Sequence, residues 1–79
     1  MSKNFISNDI RKLRFFNDEM TQKELAEKVG VTRQTIVAIE KGNYSPSLEL
    51  AFKIAEIFKQ PIGEVFSYDS SAATKKSNK

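Results

Sequence analysis

Apolar residues recur at helical spacing along most of the chain, which predicts a fold built from short helices. A first helix is predicted over residues 8–17, with Ser7 as its N-cap. Phe15 and Phe16 are adjacent and therefore point about 100° apart, so they cannot both face the centre of one core. One of them is expected at the rim of the core or in an interface. The apolar face of this helix consists of Ile10, Leu13 and Phe16.

Two closely spaced N-caps predict a second and a third helix. The segment Thr21–Glu24 reads TQKE, a capping box in which each of the two outer side chains accepts a hydrogen bond from the other residue's amide. Gly30 can end this helix in the left-handed conformation. Thr32 can cap the next helix, which continues to Lys41 and ends at Gly42. Two short helices are therefore joined by about three residues.

The third helix contains four consecutive apolar residues, Ile36–Ile39, which is more than a buried stripe about 100° wide can use. Ile36 and Ile39 are three apart and are predicted to pack on the second helix, with Ala38 at the edge of that contact. Val37 is the surplus residue and points toward the outward face.

The C-terminal half predicts a fourth and a fifth helix. Ser47 can cap a helix over residues 48–59, which is expected to be the most buried of all. Pro61 ends it and can open a short helix through Phe66. The apolar positions of the fourth helix cover more than half of its circumference: Leu48, Ala51, Phe52, Ile54, Ala55 and Phe58.

The ends of the chain are expected to differ from the helical body. The segments NFIS and VFSYD have short β-compatible patterns and can pair as a small antiparallel ribbon. Residues 69–79 have no apolar periodicity and are rich in serine and lysine. They are predicted to be a disordered basic tail, whereas residues 1–68 form one domain.

Composition narrows the function classes. The 79 residues include no cysteine and no histidine, so the commonest zinc ligands and neutral-pH proton shuttles are lacking. An enzyme is therefore not predicted, and neither a metal nor another cofactor is expected. No apolar stretch approaches the ~20 residues of a membrane helix, and no secretion signal is evident. A cytoplasmic protein without membrane insertion is expected. Of the net charge of +3 the tail carries +2, so residues 1–68 carry only +1.

Small and apolar residues from Gln22 to Ile39 have the spacing of a helix-turn-helix. Ala26 lets two helices cross closely, and Gly30 permits the sharp turn between them. In this geometry the second helix projects from the body, and its N-terminal residues can enter the major groove of DNA. The crossing is fixed by Val29, Val31, Ile36 and Ile39.

Residues 10–66 resemble the Xre/lambda-repressor-like helix-turn-helix family of transcription regulators. The resemblance is carried by IRKLR, MTQKELAEKVGVTRQTIVAIEKG, YSPSLELAFKIAEIF and PIGEVF. It implies an all-α fold, a compact five-helix DNA-binding domain containing the helix-turn-helix. It also implies a transcriptional regulator, expected to be a repressor, that binds an inverted-repeat operator in double-stranded DNA as a homodimer. The alternative is a helix-turn-helix that serves only as a packing motif.

The first turn of the third helix supplies the candidate base contacts. It contains Arg33, Gln34 and Thr35, and arginine to guanine and glutamine to adenine are bidentate pairings that fit the major groove. Val37 follows one turn after Arg33. Two interpretations of Val37 stay open: its methyl groups contact a thymine methyl group in the groove, or they pack beneath the turn at residues 43–44.

Polar residues around the third helix are candidate contacts to the DNA backbone. In the family the residue at Gln22 holds a phosphate at the start of the second helix, where free amides favour an anion. Thr32 is expected to combine its cap with a backbone contact. Lys41, Asn43 and Tyr44 follow the third helix and can reach phosphates. For Gln22 and Lys41 the plainer alternative is a solvated polar residue.

The family also implies an ion pair. An arginine on the first helix commonly pairs with a glutamate near the end of the third, so Arg14 and Glu40 are expected to be structural partners rather than DNA contacts. The segment between Arg14 and Gln22 is one residue longer than the common pattern. The loop is expected to absorb this residue.

A second copy of the chain is the expected partner. One recognition helix contacts few base pairs, so a dimer with half-sites about 34 Å apart is predicted. Phe5 and Ile6 are supporting candidates for its interface. The alternative function is an antitoxin-like or partner-binding module in which DNA binding is secondary. The main candidates for the dimer interface are Ile62, Val65, Phe66 and Tyr68.

Overall fold

A computed structural model describes residues 6–68 of the chain. The predicted all-α architecture and its small ribbon are confirmed. The expectations for Phe5 and for residues 69–79 fall outside the described range. Within residues 6–68, no helix is long and apolar enough to cross a membrane. The elements in this range are β1 (Ile6–Asn8), α1 (Ile10–Phe16), α2 (Gln22–Val29), α3 (Arg33–Glu40), α4 (Leu48–Phe58), α5 (Ile62–Val65) and β2 (Phe66–Tyr68).

The terminal strands pair as an antiparallel ribbon. The register runs from Ile6 opposite Tyr68 to Asn8 opposite Phe66. Isolated two-stranded pairs are marginal in water, and this one is supported because Phe66 packs against the hydrophobic core. The ribbon, made of β1 and β2, brings the two ends of the described chain together.

The first helix begins later than the sequence predicted. It starts at Ile10, with Asp9 in the N-cap position and no side-chain cap from that residue. The predicted cap, Ser7, is wrong because this residue lies in β1, opposite Ser67. The side chain of Asn8 accepts a hydrogen bond from the Ile10 amide instead, at 3.2 Å. Strand pairing therefore prevails over the local capping preference of the serine.

The N-caps predicted for α2, α3 and α4 are confirmed. The Glu24 amide donates to Thr21 Oγ1 at 3.0 Å, and the Thr21 amide donates to Glu24 Oε1 at 2.9 Å. Gly30 ends α2 with a φ of 82°, a left-handed conformation that side chains disfavour. Thr32 and Ser47 each accept a hydrogen bond from the amide three residues on. These caps fix where α2, α3 and α4 begin.

The core lies between the helices and is apolar throughout the described range. Ile36 and Ile39 are fully buried on α3, which packs against α2 as the helix-turn-helix spacing predicted. The buried residues are Ile10, Met20, Leu25, Ala26, Val29, Ile36, Ile39, Leu50, Ala51, Ile54, Ala55, Phe58 and Val65.

The fourth helix contributes more buried residues than any other described helix, as predicted, but its buried face differs from the prediction. Leu48 and Phe52 are 69% and 53% exposed. Leu50, which lies outside the predicted stripe, is buried. The apolar arc of α4 is wider than the side that its neighbours cover, so one edge of the arc faces solvent.

Candidate nucleic-acid interface

The start of α3 presents two long polar side chains to solvent. Arg33 and Gln34 are exposed, whereas Thr35 is half-buried. The Thr35 amide donates to Thr32 Oγ1 at 3.2 Å, and the two threonine hydroxyls lie 3.0 Å apart. This cap orders the first turn of α3. The arginine and the glutamine therefore project from a fixed backbone, while the Thr35 hydroxyl is engaged with its neighbour.

Val37 is half-buried, although it belongs to the most apolar segment of α3. Val37 is not among the half-buried apolar residues of the described range that pack against the core. The Val37 carbonyl accepts from the Lys41 amide at 3.0 Å, and the turn that follows folds back on α3. The valine thus lies outside the core.

A side-chain network joins α1, α2 and the end of α3. Arg14 Nε donates to Glu40 Oε2 at 2.7 Å, and Arg14 Nη2 donates to Glu40 Oε1 at 3.1 Å. Arg14 Nη1 also donates to the Met20 carbonyl oxygen at 2.8 Å. The two charged side chains are only 14% and 8% exposed. The expected structural ion pair between Arg14 and Glu40 is therefore present.

The longer loop before α2 is compatible with this pair. Asp18 and Glu19 both adopt positive φ angles, 57° and 53°. Two consecutive left-handed residues turn the chain tightly, and the Met20 amide then donates to the Arg14 carbonyl at 2.9 Å. This turn connects α1 to α2 while the Arg14 side chain keeps its ion pair with Glu40.

Gln22 is connected to the same network. Its Nε2 donates to Glu40 Oε1 at 3.2 Å, so the glutamate carboxylate holds the amide that the family places on a phosphate. An Nε2 group has two hydrogen atoms, and one remains for another acceptor. Gln22 is thus held at the start of α2 with a donor still available.

A polar groove of about 520 Å³ runs beside the start of α2. Arg11, Lys23 and Arg33 bring positive charges to it, and Glu19 brings a negative charge. Arg14 also lines the groove, but its charge is paired with Glu40. Sequence reasoning missed Arg11 and Lys23. Arg11 lies three residues before Arg14, and Lys23 directly follows Gln22. Their positions on the same helices as Arg14 and Gln22 are the sequence signal that could have identified them. The groove can attract a phosphate group.

Three further candidates surround the turn after α3. Lys41, Asn43 and Tyr44 are all exposed. The Asn43 amide donates to the Ala38 carbonyl at 2.9 Å, which fixes the turn against the end of the helix. Gln22 lies close to this same end of α3, because its side chain donates to Glu40, whereas Thr32 lies at the start of the helix. Most of the backbone candidates therefore lie at the C-terminal end of α3.

The predicted dimer segment divides into covered and accessible residues. Val65 is 1% exposed and belongs to the core, so it has no surface to offer a partner and its predicted interface role is corrected. Ile62 and Phe66 are half-buried and pack against the core. Tyr68 is 61% exposed, and Ile6 opposite it is half-buried.

Further aromatic and aliphatic side chains are exposed elsewhere. Phe15 and Phe16 are 61% and 70% exposed, and their rings meet edge to face with centroids 5.5 Å apart. The sequence predicted that one of the two phenylalanines would lie outside the core, and in the structure both do.

Within residues 6–68, no group of three or more histidine, cysteine, aspartate or glutamate side chains could hold a metal ion.

Comparison with known proteins gives close relatives. The sequence profile of a family described as helix-turn-helix matches residues 10–65. The chain is 53% identical over 60 residues to an uncharacterised HTH-type transcriptional regulator of Methanocaldococcus jannaschii; the aligned residues are 73% of this chain and 91% of that protein. It is 60% identical over 50 residues to an uncharacterised HTH-type transcriptional regulator of Archaeoglobus fulgidus; here the aligned residues are 63% of this chain and 71% of that protein.

A phage protein and a solved structure extend the comparison. The cryptic phage CTXphi transcriptional repressor RstR of Vibrio cholerae is 43% identical over 61 residues, which are 77% of this chain and 54% of the repressor. The crystal structure of a candidate DNA-binding protein from Bacteroides fragilis matches with a TM-score of 0.68 at 24% identity, over 78% of this chain and 98% of that one. At this identity the structural likeness concerns the fold alone.

Proposed function

This chain belongs to the Xre-like helix-turn-helix family of DNA-binding transcriptional regulators, which are not enzymes, and on that premise we propose that it is a sequence-specific repressor. It acts in the cytoplasm as a homodimer that binds an inverted-repeat operator in double-stranded DNA with α3 in the major groove. The observation that carries the proposal is the exposure of Arg33 and Gln34 on the capped first turn of α3. The similarity to the transcriptional repressor RstR supports repression as the type of regulation.

The base contacts are assigned to α3. Arg33 suits a guanine and Gln34 an adenine, because each can form two parallel hydrogen bonds with the major-groove edge. Thr35 can contribute its methyl group while its hydroxyl stays with Thr32, and Val37 can meet a thymine methyl group. These four residues cover one turn and a half of the helix, which suits a half-site of a few base pairs.

The backbone contacts are assigned to both ends of α3. Thr32 lies at its N-terminal end, whereas Gln22, which donates to Glu40, lies near its C-terminal end. Lys41, Asn43 and Tyr44 lie in the turn that follows it. Phosphate contacts position a protein on the duplex without distinguishing sequences. Arg11 and Lys23 join this set on the strength of the groove that they line. In this proposal, residues 6–68 bind the duplex through individual phosphate contacts at defined positions and not through a high net positive charge.

The homodimer is proposed because one α3 contacts too few base pairs for selectivity in a genome. Its surface centres on Tyr68, with the accessible parts of Ile62 and Phe66. We expect sedimentation at micromolar concentration to show a dimer, and we expect Tyr68→Asp to shift it toward monomer. Tyr44→Asp is the matched control, because it places the same charge on another exposed tyrosine. A wild-type monomer at these concentrations would contradict the dimer.

Selection from a random-sequence duplex library tests the proposed function. The wild-type protein is expected to enrich an inverted repeat whose half-sites are separated by about one helical turn, about 34 Å. Enrichment of a single half-site would remove the dimer from the proposal but keep the recognition helix. Recovery of no preferred sequence would contradict sequence-specific DNA binding.

The alternative is a partner-binding module, and the exposed Phe15, Phe16, Leu48 and Phe52 favour it. Exposed apolar clusters on small domains often mark protein contacts. The two functions predict different results in one gel-shift assay with the DNA upstream of the protein's own gene. Retardation by the protein alone supports the repressor, whereas retardation that needs an added partner supports the module.

A further inference from the structure

The carboxamide of Asn8 joins the terminal ribbon to the end of α3. Its Nδ2 donates to the Ile39 carbonyl oxygen at 2.9 Å, across 31 positions of sequence. Its Oδ1 accepts from the Ile10 amide at 3.2 Å, at the start of α1. Asn8 is half-buried. Both polar atoms of one side chain are therefore engaged, each with a different helix.

The hydrogen bond to Ile39 acts as a long-range cap of α3. The carbonyl groups in the last turn of a helix have no partner within the helix and need one from elsewhere. The Ile39 carbonyl accepts from the Gly42 amide at 3.0 Å and, in addition, from Asn8. A helix end that is held by a side chain from a distant element takes its position partly from that element.

The element that carries Asn8 is itself fixed to the C-terminal segment. Asn8 pairs opposite Phe66 in the ribbon, and the next amide, of Asp9, donates to the Val65 carbonyl at 2.9 Å. The surface proposed for dimerisation lies on this same segment. A continuous set of hydrogen bonds thus leads from the ribbon to the end of the helix whose other end carries Arg33.

The length of α3 turns a small change at one end into a large one at the other. Its eight residues span about 12 Å at 1.5 Å per residue. Arg33 lies six residues before Ile39, or about 9 Å, so a rotation of about 10° around the Ile39 end would move the Arg33 backbone by about 1.6 Å. Hydrogen bonds to base edges tolerate only a few tenths of an ångström. The angle of α3 must be set accurately if the first turn is to distinguish bases.

We propose that Asn8 is a positioning residue for DNA recognition, whose carboxamide sets the angle of α3 from the terminal ribbon. The inference rests on the proposed function, because it assigns Asn8 a role in base selectivity through α3. The ion pair of Arg14 with Glu40 holds the same end of α3 independently. Loss of the Asn8 contact is therefore expected to tilt the helix without unfolding the domain.

Asn8→Asp tests the proposal in the full chain. The aspartate keeps an oxygen for the Ile10 amide but has no donor for the Ile39 carbonyl. Ser7→Asp is the matched control, because it adds the same charge to the neighbouring, exposed position of β1. Asn8→Ala is a second variant that removes the donor without adding charge. Each protein is titrated with a duplex selected by the wild type and with a scrambled duplex of equal composition, and its melting temperature is recorded.

The ratio of the two dissociation constants separates positioning from stability. We expect Asn8→Asp and Asn8→Ala to lower the preference for the selected duplex about fivefold or more, with Ser7→Asp within about twofold of wild type. A purely structural role would reduce the folded fraction and weaken both duplexes equally, so an unchanged ratio in the Asn8 variants would overturn the inference. If the wild type selects no sequence, both this inference and the proposed function fail. If it selects one and the Asn8 variants keep the ratio, only this inference fails.

Discussion

Arg14 and Glu40 form a two-point ion pair between the first helix and the end of the recognition helix. The distances are 2.7 Å from Nε to Oε2 and 3.1 Å from Nη2 to Oε1, and both side chains are largely buried. The second pair in the described range, Lys53 with Glu49, is longer at 3.5 Å and exposed. The two pairs therefore allow one substitution to be compared in a covered and in a solvated setting.

Glu40→Gln is expected to lower the free energy of unfolding by about 3 kcal/mol. The substitution removes the charge that compensates Arg14 and leaves a covered guanidinium without its partner. Urea denaturation followed by circular dichroism measures the change. Glu49→Gln is the control, and a change within about 0.5 kcal/mol is expected because exposed pairs contribute little. Equal effects at the two positions would show that burial does not distinguish the pairs.

Thr32→Ala is expected to act on folding and on DNA binding together. Removal of the hydroxyl that accepts the Thr35 amide should cost about 1 kcal/mol of unfolding free energy. Ser47→Ala removes an equivalent cap from α4 and should cost a similar amount. Only the Thr32 variant should also bind DNA more weakly when both proteins are fully folded, because Thr32 is itself a proposed contact to the DNA backbone. A Ser47 variant that lost DNA affinity equally would remove the special role of Thr32.

Val37→Ser distinguishes the two interpretations of the surplus apolar residue on α3. If its methyl groups contact a thymine, affinity for the selected duplex should fall by about 1 kcal/mol, with little change in melting temperature. If they pack beneath the turn at residues 43–44, the melting temperature should fall and the preference for the selected duplex should persist. Thermal unfolding and fluorescence titration on the same preparation provide both numbers.

The sequence predicted features that depend on near neighbours. Thr21 with Glu24, and Thr32 with Thr35, are caps formed within three residues, and the burial of Ile36 follows from helical spacing. Ser7 failed as a cap because its conformation is set by pairing with Ser67, far along the chain. Local preference cannot anticipate such a contact.

Other parts of the site depend on how the helices are arranged. Gln22 donates to Glu40 because the start of α2 lies close to the end of α3, a relation that neither segment encodes alone. Leu48 and Phe52 belong to an apolar arc, yet the neighbouring elements do not extend over that edge of α4. Arg11 likewise lines the groove beside α2 because of how α1 is placed relative to α2, which the sequence around Arg11 does not indicate.

In the proposed recognition, the first turn of α3 distinguishes bases while the turn after it contacts phosphates. Gln34→Ala and Lys41→Ala are titrated against the selected duplex, against duplexes with single base-pair changes and against random DNA. Gln34→Ala should lose about 1–3 kcal/mol of discrimination at particular base pairs, whereas Lys41→Ala should weaken all duplexes similarly and reduce the salt dependence. Equal losses on selected and random DNA for both variants would contradict this division of roles.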